Sequence, residues 1–300
     1  IGKERDFSSK RFDIFYNGNS QVLAGDPNAI LADENIWVQS TNLFQTTTGS
    51  YIKGGFERTN VYNSESKNEA FYFSSELKFS DMIKAVVGVR LETYQLRYTG
   101  ENLLGTKFEN ELFLDDKDLF PNVNLIISPN EKSNIRASYY KTTARPTFRE
   151  ASSAYLIDPV TETFFLGNPD IKSSYIDNID LRYEIFGNNS EMFAFSLFSK
   201  NFKDPIEISV VSDDTPNDFI AINNEKATVR GIEFEIRKNL FVIDNLTFNA
   251  NSNASFISAK QTMSDIEYDS RVILAEPGQV ISRERELQGG LQCFFGRRGR

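Results

Sequence analysis

The sequence contains no histidine. That absence removes Ser-His-Asp triads, Cys-His pairs, His-ligated zinc and the HExxH arrangement together, and most hydrolase chemistry with them. Cysteine is almost missing as well. Cys293 stands alone, so it has no partner for an internal disulfide and reads as an incidental thiol. No apolar run approaches the roughly 18 residues that a membrane-crossing helix needs, and mean hydropathy is -0.40. A basic balance is also lacking. The net charge of -9 has the wrong sign for holding a phosphate backbone, so no nucleic-acid partner is expected. Gly-rich phosphate loops, nucleophile elbows and paired-carboxylate signatures do not occur. No catalytic residue, metal site or cofactor is expected.

What the chain does have is aromatic bulk and alternation. Phe at 26 and Tyr at 12 far outnumber Met at 3, a mix that suits strands better than helix surfaces. Period-2 patterning recurs in segments of about ten residues, the length a tilted strand needs to cross a bilayer. Phe71, Phe73, Leu77 and Phe79 face one way while Tyr72, Ser74, Glu76 and Lys78 face the other. Val87, Val89 and Leu91 oppose Gly88, Arg90 and Glu92. Leu181 and Ile185 oppose Arg182 and Glu184, and Ile232 and Phe234 oppose Glu233 and Glu235. Phe195 is likewise expected on the apolar side. A soluble core rejects a continuous charged face, whereas a barrel with a watery lumen wants one.

The connections alternate in length, as they do where short turns lie on one side of a membrane and long loops on the other. Short links fall at Ser80-Asp81-Met82, at 129–132, at 187–190 and at about 239–245. Long ones are expected at about 17–66, 99–117, 145–173, 203–224 and 261–286. Together these features predict an all-β chain, an antiparallel transmembrane β-barrel fragment of about nine to eleven strands, with short periplasmic turns and long extracellular loops. One domain spanning 1–300 is expected. The segments near 1–15 and 246–260 are expected to be its open edges.

Four ordered strings then carry a family resemblance. They are Tyr140-Lys141-Thr142-Thr143-Ala144-Arg145-Pro146-Thr147-Phe148-Arg149-Glu150; Gly167-Asn168-Pro169-Asp170-Ile171-Lys172, leading to Asp177-Asn178-Ile179-Asp180-Leu181-Arg182-Tyr183-Glu184; Lys203-Asp204-Pro205-Ile206-Glu207; and Ala227-Thr228-Val229-Arg230-Gly231-Ile232-Glu233-Phe234-Glu235. They resemble the barrel of TonB-dependent outer-membrane receptors, clearly from about 139 to 256. The resemblance implies a place in the outer membrane of a Gram-negative bacterium and energy-dependent uptake of a nutrient such as a metal chelate or an oligosaccharide. It implies as partners the outer-membrane lipid, a nutrient ligand, a surface lipoprotein, and a TonB-type energising complex acting through a plug. No segment resembles that plug or an export signal, so the chain reads as part of a receptor, and Gly290 to Arg300 departs from the family pattern. The alternatives are a passive porin, an outer-membrane barrel enzyme and a soluble carbohydrate-binding β-protein.

Candidate site residues follow from the loops and the lumen face. Arg145, Arg149 and Glu150 read either as contacts to plug or ligand or as a loop salt-bridge cluster. Tyr155, Phe164 and Phe165 read as a ligand platform or as interface anchors. Asn249, Asn251 and Asn253 form an uncharged polar row suited to the lumen. The acidic run Asp115-Asp116-Lys117-Asp118 lacks the ligand spacing of a calcium loop and reads as solvated loop charge.

Overall fold

The computed structural model describes residues 2–8, 11–17, 49–55, 58–158, 161, 163–188, 191–212, 215–243, 246–276 and 279–298. Sixteen strands and one helix follow in chain order: β1 (Gly2–Ser8), β2 (Arg11–Asn17), β3 (Gly49–Gly55), β4 (Val61–Lys78), β5 (Ile83–Glu101), β6 (Lys107–Asn130), β7 (Ser133–Ala144), β8 (Tyr155–Asp158), β9 (Thr163–Leu166), β10 (Ser174–Phe186), β11 (Met192–Lys203), β12 (Ile206–Ser212), β13 (Thr215–Asn223), β14 (Lys226–Ile243), β15 (Leu246–Thr262), α1 (Asp265–Ile273) and β16 (Glu284–Arg298). Ten of the strands form one sheet in the order β1-β4-β5-β6-β7-β10-β11-β14-β15-β16, with every pairing antiparallel. No described helix is long and apolar enough to cross a membrane.

The register shows how the strands lean. Hydrogen-bonded partners run in one row from Val87 through Val123, Tyr139, Ile179, Ser199 and Arg230 to Ser258. The row crosses β5 four residues after Ile83 and β15 twelve residues after Leu246. Eight residues of climb at about 3.3 Å each, over six steps of about 4.8 Å, tilt the strands by about 40°, inside the range of transmembrane barrels.

Alternation sorts the faces as the sequence implies. Leu181, Leu197, Ile232 and Phe256 are directly paired neighbours on adjacent strands and all are exposed, at 44%, 37%, 38% and 50%. Leu91, Ile185 and Phe234 join the same apolar surface. On the other face, charges on β7, β10 and β14 are tied into a chain. Arg136 Nε lies 3.0 Å from Glu184, Arg182 Nε 2.8 Å from Glu184, Arg182 Nη2 2.9 Å from Glu235, and Arg237 Nη2 2.7 Å from Glu235. Each carboxylate therefore holds two cations, which is how a charged wall avoids stranding a lone ion.

Short turns close one end of the sheet. Ser80 Oγ accepts from the Met82 and Ile83 amides, and Asn130 Oδ1 accepts from the Lys132 amide. Pro121 offers no N–H, and it sits one residue beyond Asn122↔Tyr140, where the pairing of β6 with β7 stops.

Two expectations are corrected. The segment 99–117 is not a long loop: β5 and β6 run on as a hairpin closed by 102–106, where Asn102 Oδ1 accepts from the amides of Leu104 and Thr106. Above the membrane no lipid demands an apolar face, so these extended strands carry charge on both sides. Among the described residues the open edges are β1 and β16. The segment 246–260 lies inside the sheet, because β16 pairs with β15 from Asn249↔Arg298 to Thr262↔Glu284. Ladder bonds are backbone bonds, so Gly290 and its neighbours join without side-chain alternation. Phe79 and Met82, at the turn end, are also exposed.

Candidate functional site

At the loop end the inner face of the sheet changes character. Tyr94, Leu96 and Tyr98 on β5, Tyr62 on β4 and Leu114 on β6 are buried beneath residues of the 145–173 connection, among them Ala151, Ala154, Leu156, Phe165 and Ile171. That connection folds as a cap. Strands β8 and β9 pair antiparallel, β9 pairs in parallel with β13, and β13 pairs with β12, so two long loops share one four-stranded sheet. Asn168 Nδ2 donates to the Ala221 carbonyl, and Asn223 Oδ1 accepts from the Lys172 amide, stitching the loops together.

Arg145 anchors the cap to the wall. Its Nη1 donates to Asp116 and, at 2.9 Å, to Ser173 Oγ; its Nη2 lies 2.6 Å from Asp118 and 3.4 Å from Glu92. The guanidinium also stacks over Tyr94, 4.8 Å from the ring centroid. Burial pulls the Arg145 pKa down, but the hydrogen bond to Asp118 and the charges of Asp116 and Asp118 outweigh it, so the group is held above its ordinary value. Tyr175 donates to Asp118 at 2.8 Å, and burial first, then that bond, pushes the phenol up to about 12. The acidic run is therefore not simply solvated, since Asp116 and Asp118 are partners of a half-buried cation.

The other candidates have local work. Glu150 accepts from the Thr147 amide at 2.7 Å while Thr147 Oγ1 accepts from the Glu150 amide, a reciprocal cap on the single turn after Pro146. Arg149 stacks over Phe165, 4.1 Å from the ring centroid, and Phe165 is buried. Tyr155 and Phe164 stack at 4.9 Å on the opposite, half-buried face of the cap sheet. Gly167 is obligatory at the join, because a Cβ there would lie 2.2 Å from the Ser152 carbonyl oxygen.

The structure thus gathers Arg149, Glu150, Tyr155, Phe164 and Phe165 in the cap and sets Arg145 beneath it. Asn251 and Asn253 lie apart on β15, opposite Arg237 and Glu235 in the lumen wall. The backbone of Asn249 belongs to the same strand, but its side chain lies outside the described residues. Sequence reasoning missed Glu92, Tyr94, Ser173 and Tyr175 as partners of Arg145, and missed Glu207, which accepts from Asn224 and Gln261 and pairs with Arg285. The i, i+2 spacing of Asp116 and Asp118 on one strand face was the one signal available. Among the described residues no group of Asp, Glu or Cys is arranged to hold a metal ion.

A tilted antiparallel sheet with an apolar outer face, a charged inner face, short turns at one end and folded loops at the other is the wall of an outer-membrane-type β-barrel. The chain belongs to the TonB-dependent receptor β-barrel family, whose model, described as TonB dependent receptor-like, beta-barrel, matches residues 3–276. That family consists of outer-membrane receptors and transporters. No curated protein matches the chain. Among solved structures it is similar to a double mutant of the Serratia marcescens hemophore receptor HasR in complex with its hemophore HasA and heme, at 12% identity and TM-score 0.55, covering 71% of this chain and 38% of that one. It is also similar to the siderophore receptor PirA from Pseudomonas aeruginosa, at 13% identity and TM-score 0.46, covering 73% and 48%. The chain thus spans less than half the length of these receptors.

Proposed function

We propose that the chain is the barrel wall of an outer-membrane receptor that imports a nutrient, a metal chelate or an oligosaccharide, with energy delivered from the inner membrane. The remaining strands and a plug would be supplied by the rest of the receptor, and the whole would sit in the outer membrane of a Gram-negative bacterium. The observation that carries this reading is the cap. Two long loops fold as one sheet over the inner wall and are tied to it by the half-buried Arg145 cluster, above a continuous polar face. A passive pore needs an open mouth, whereas a receptor needs a preformed surface over its lumen. Arg149, Glu150, Tyr155, Phe164 and Phe165 would shape that surface, and Asn249, Asn251 and Asn253 would line the path below. Transport and not turnover is the activity.

The test is uptake by cells that carry the intact receptor, with and without a working energising complex. Growth on the imported nutrient that depends on both receptor and complex is expected. Uptake that persists without the complex, or open-channel conductance of the purified receptor in planar bilayers, would establish a porin instead.

A further inference from the structure

The outer wall just above the apolar belt carries charge of one sign on three neighbouring strands. Lys203 on β11, Lys226 and Arg230 on β14, and Lys260 on β15 are all exposed. They share the face that bears Leu197, Ile232 and Phe256 lower down, since each lies an even number of residues from its apolar neighbour. Lys203 and Lys226 are direct cross-strand partners. Like charges in that position repel, and nothing in the fold requires them there. Arg230 comes two residues beyond Ile232, about 7 Å along the strand, and Lys260 four residues beyond Phe256. The acids nearby are Asp204 and Glu225, next in sequence to Lys203 and Lys226 at the strand ends, and two residues of β16 to one side. Glu284 is 4.0 Å from Lys226 with both side chains more than half exposed, and Glu286 lies opposite Lys260. An exposed pair of that length contributes little. At the same level on β1, β4 and β6, by contrast, Glu4, Glu65, Glu69 and Asp115 interleave with Lys67 and Lys117, so the cationic patch is confined to one sector.

Directly below the patch is a shallow groove of about 660 Å³ lined by Leu197, Arg230, Ile232, Phe256 and Ser258. An apolar groove topped by cations matches one kind of molecule, an amphiphile with acyl chains and an anionic head. We propose that this sector binds the phosphorylated headgroup of an outer-leaflet lipid, with Arg230, Lys260, Lys226 and Lys203 around the phosphate and an acyl chain along Leu197, Ile232 and Phe256. The proposal rests on the outer-membrane placement given above and adds a fixed lipid to it. Such a lipid would relieve the Lys203–Lys226 repulsion and brace β11, β14 and β15, which position the cap strands β12 and β13.

The experiment uses the intact receptor, reconstituted in neutral phospholipid vesicles doped with bis-phosphorylated lipid A or with its dephosphorylated counterpart, and reads retained lipid by native mass spectrometry after detergent extraction. The wild-type receptor is expected to retain the phosphorylated lipid selectively. The variant Arg230→Gln/Lys260→Gln should lose retention by about fivefold for each cation removed, while Lys67→Gln/Lys117→Gln, on the other sector, should not. Equal retention of the two lipids, unchanged retention by the first variant, or full displacement by inorganic phosphate alone would overturn the proposal. A receptor that fails to fractionate with outer membranes would overturn the import reading as well, whereas one that does so without lipid selectivity overturns this proposal alone.

Discussion

Leu181→Arg in the intact receptor places a charge at the point on β10 where lipid is deepest. An apolar band about 25 Å tall, crossed at about 40°, takes about ten residues. On β10 that length runs from Asp177 to Phe186, and Leu181 stands at its middle with Ala137 and Leu197 as cross-strand neighbours. At the midplane a lipid-facing Arg costs about 2 to 4 kcal/mol. The adjacent residue gives the control. Arg182 points to the inner face, its side chain is 30% exposed, and its two partners keep other cations, Arg136 for Glu184 and Arg237 for Glu235. Arg182→Gln therefore strands no carboxylate and should cost about 1 kcal/mol. Urea titration of the receptor refolded into vesicles, followed by the heat-dependent gel shift of folded barrels, reads both values. Equal costs, or a larger cost at Arg182, would show that the two faces have been assigned the wrong way round.

Further outcomes follow from the cap and the edges. Arg145→Ala leaves Glu92, Asp116 and Asp118 around an empty site and should destabilise the receptor by about 3 to 5 kcal/mol; adding Asp116→Asn and Asp118→Asn should restore part of it in the same titration, and no restoration would mean that the charges are not the cause. Tyr175 has a folded pKa near 12 against about 10 unfolded, so its neutral form contributes fully below pH 10 and that contribution disappears as pH rises from 10 toward 12. The wild-type minus Tyr175→Phe stability difference should therefore be flat to pH 10 and shrink above it, and a flat difference to pH 12 would refute the burial argument. Among the described residues β1 and β16 are unpaired on one side when the 300 residues are expressed alone, and open edges in lipid cost several kcal/mol per unpaired group. The isolated chain should show no heat-dependent gel shift, and observing one together with bilayer conductance would show that this sheet closes by itself.

The sequence by itself determined the faces. Alternation at Leu181/Arg182 and Ile232/Glu233 assigns each side chain because successive residues on a strand point oppositely, and lipid tolerates only one of the two sets. Turn chemistry at Ser80 and Asn130 placed the short connections, because those side chains bond their own backbone within a few residues. The tertiary structure alone decided what depends on distant partners. The parallel pairing of β9 with β13 joins residues more than fifty positions apart, and no local preference encodes such a pairing. Arg145 stands in a recognisable string, yet its partners come from β5, β6 and the segment before β10, so burial and charge pairing could be read only once the cap had folded. The hairpin of β5 and β6 and the last strand β16 escaped for the opposite reason. Beyond the bilayer, or where glycines carry the ladder, backbone hydrogen bonds hold a strand without imposing a pattern on its side chains.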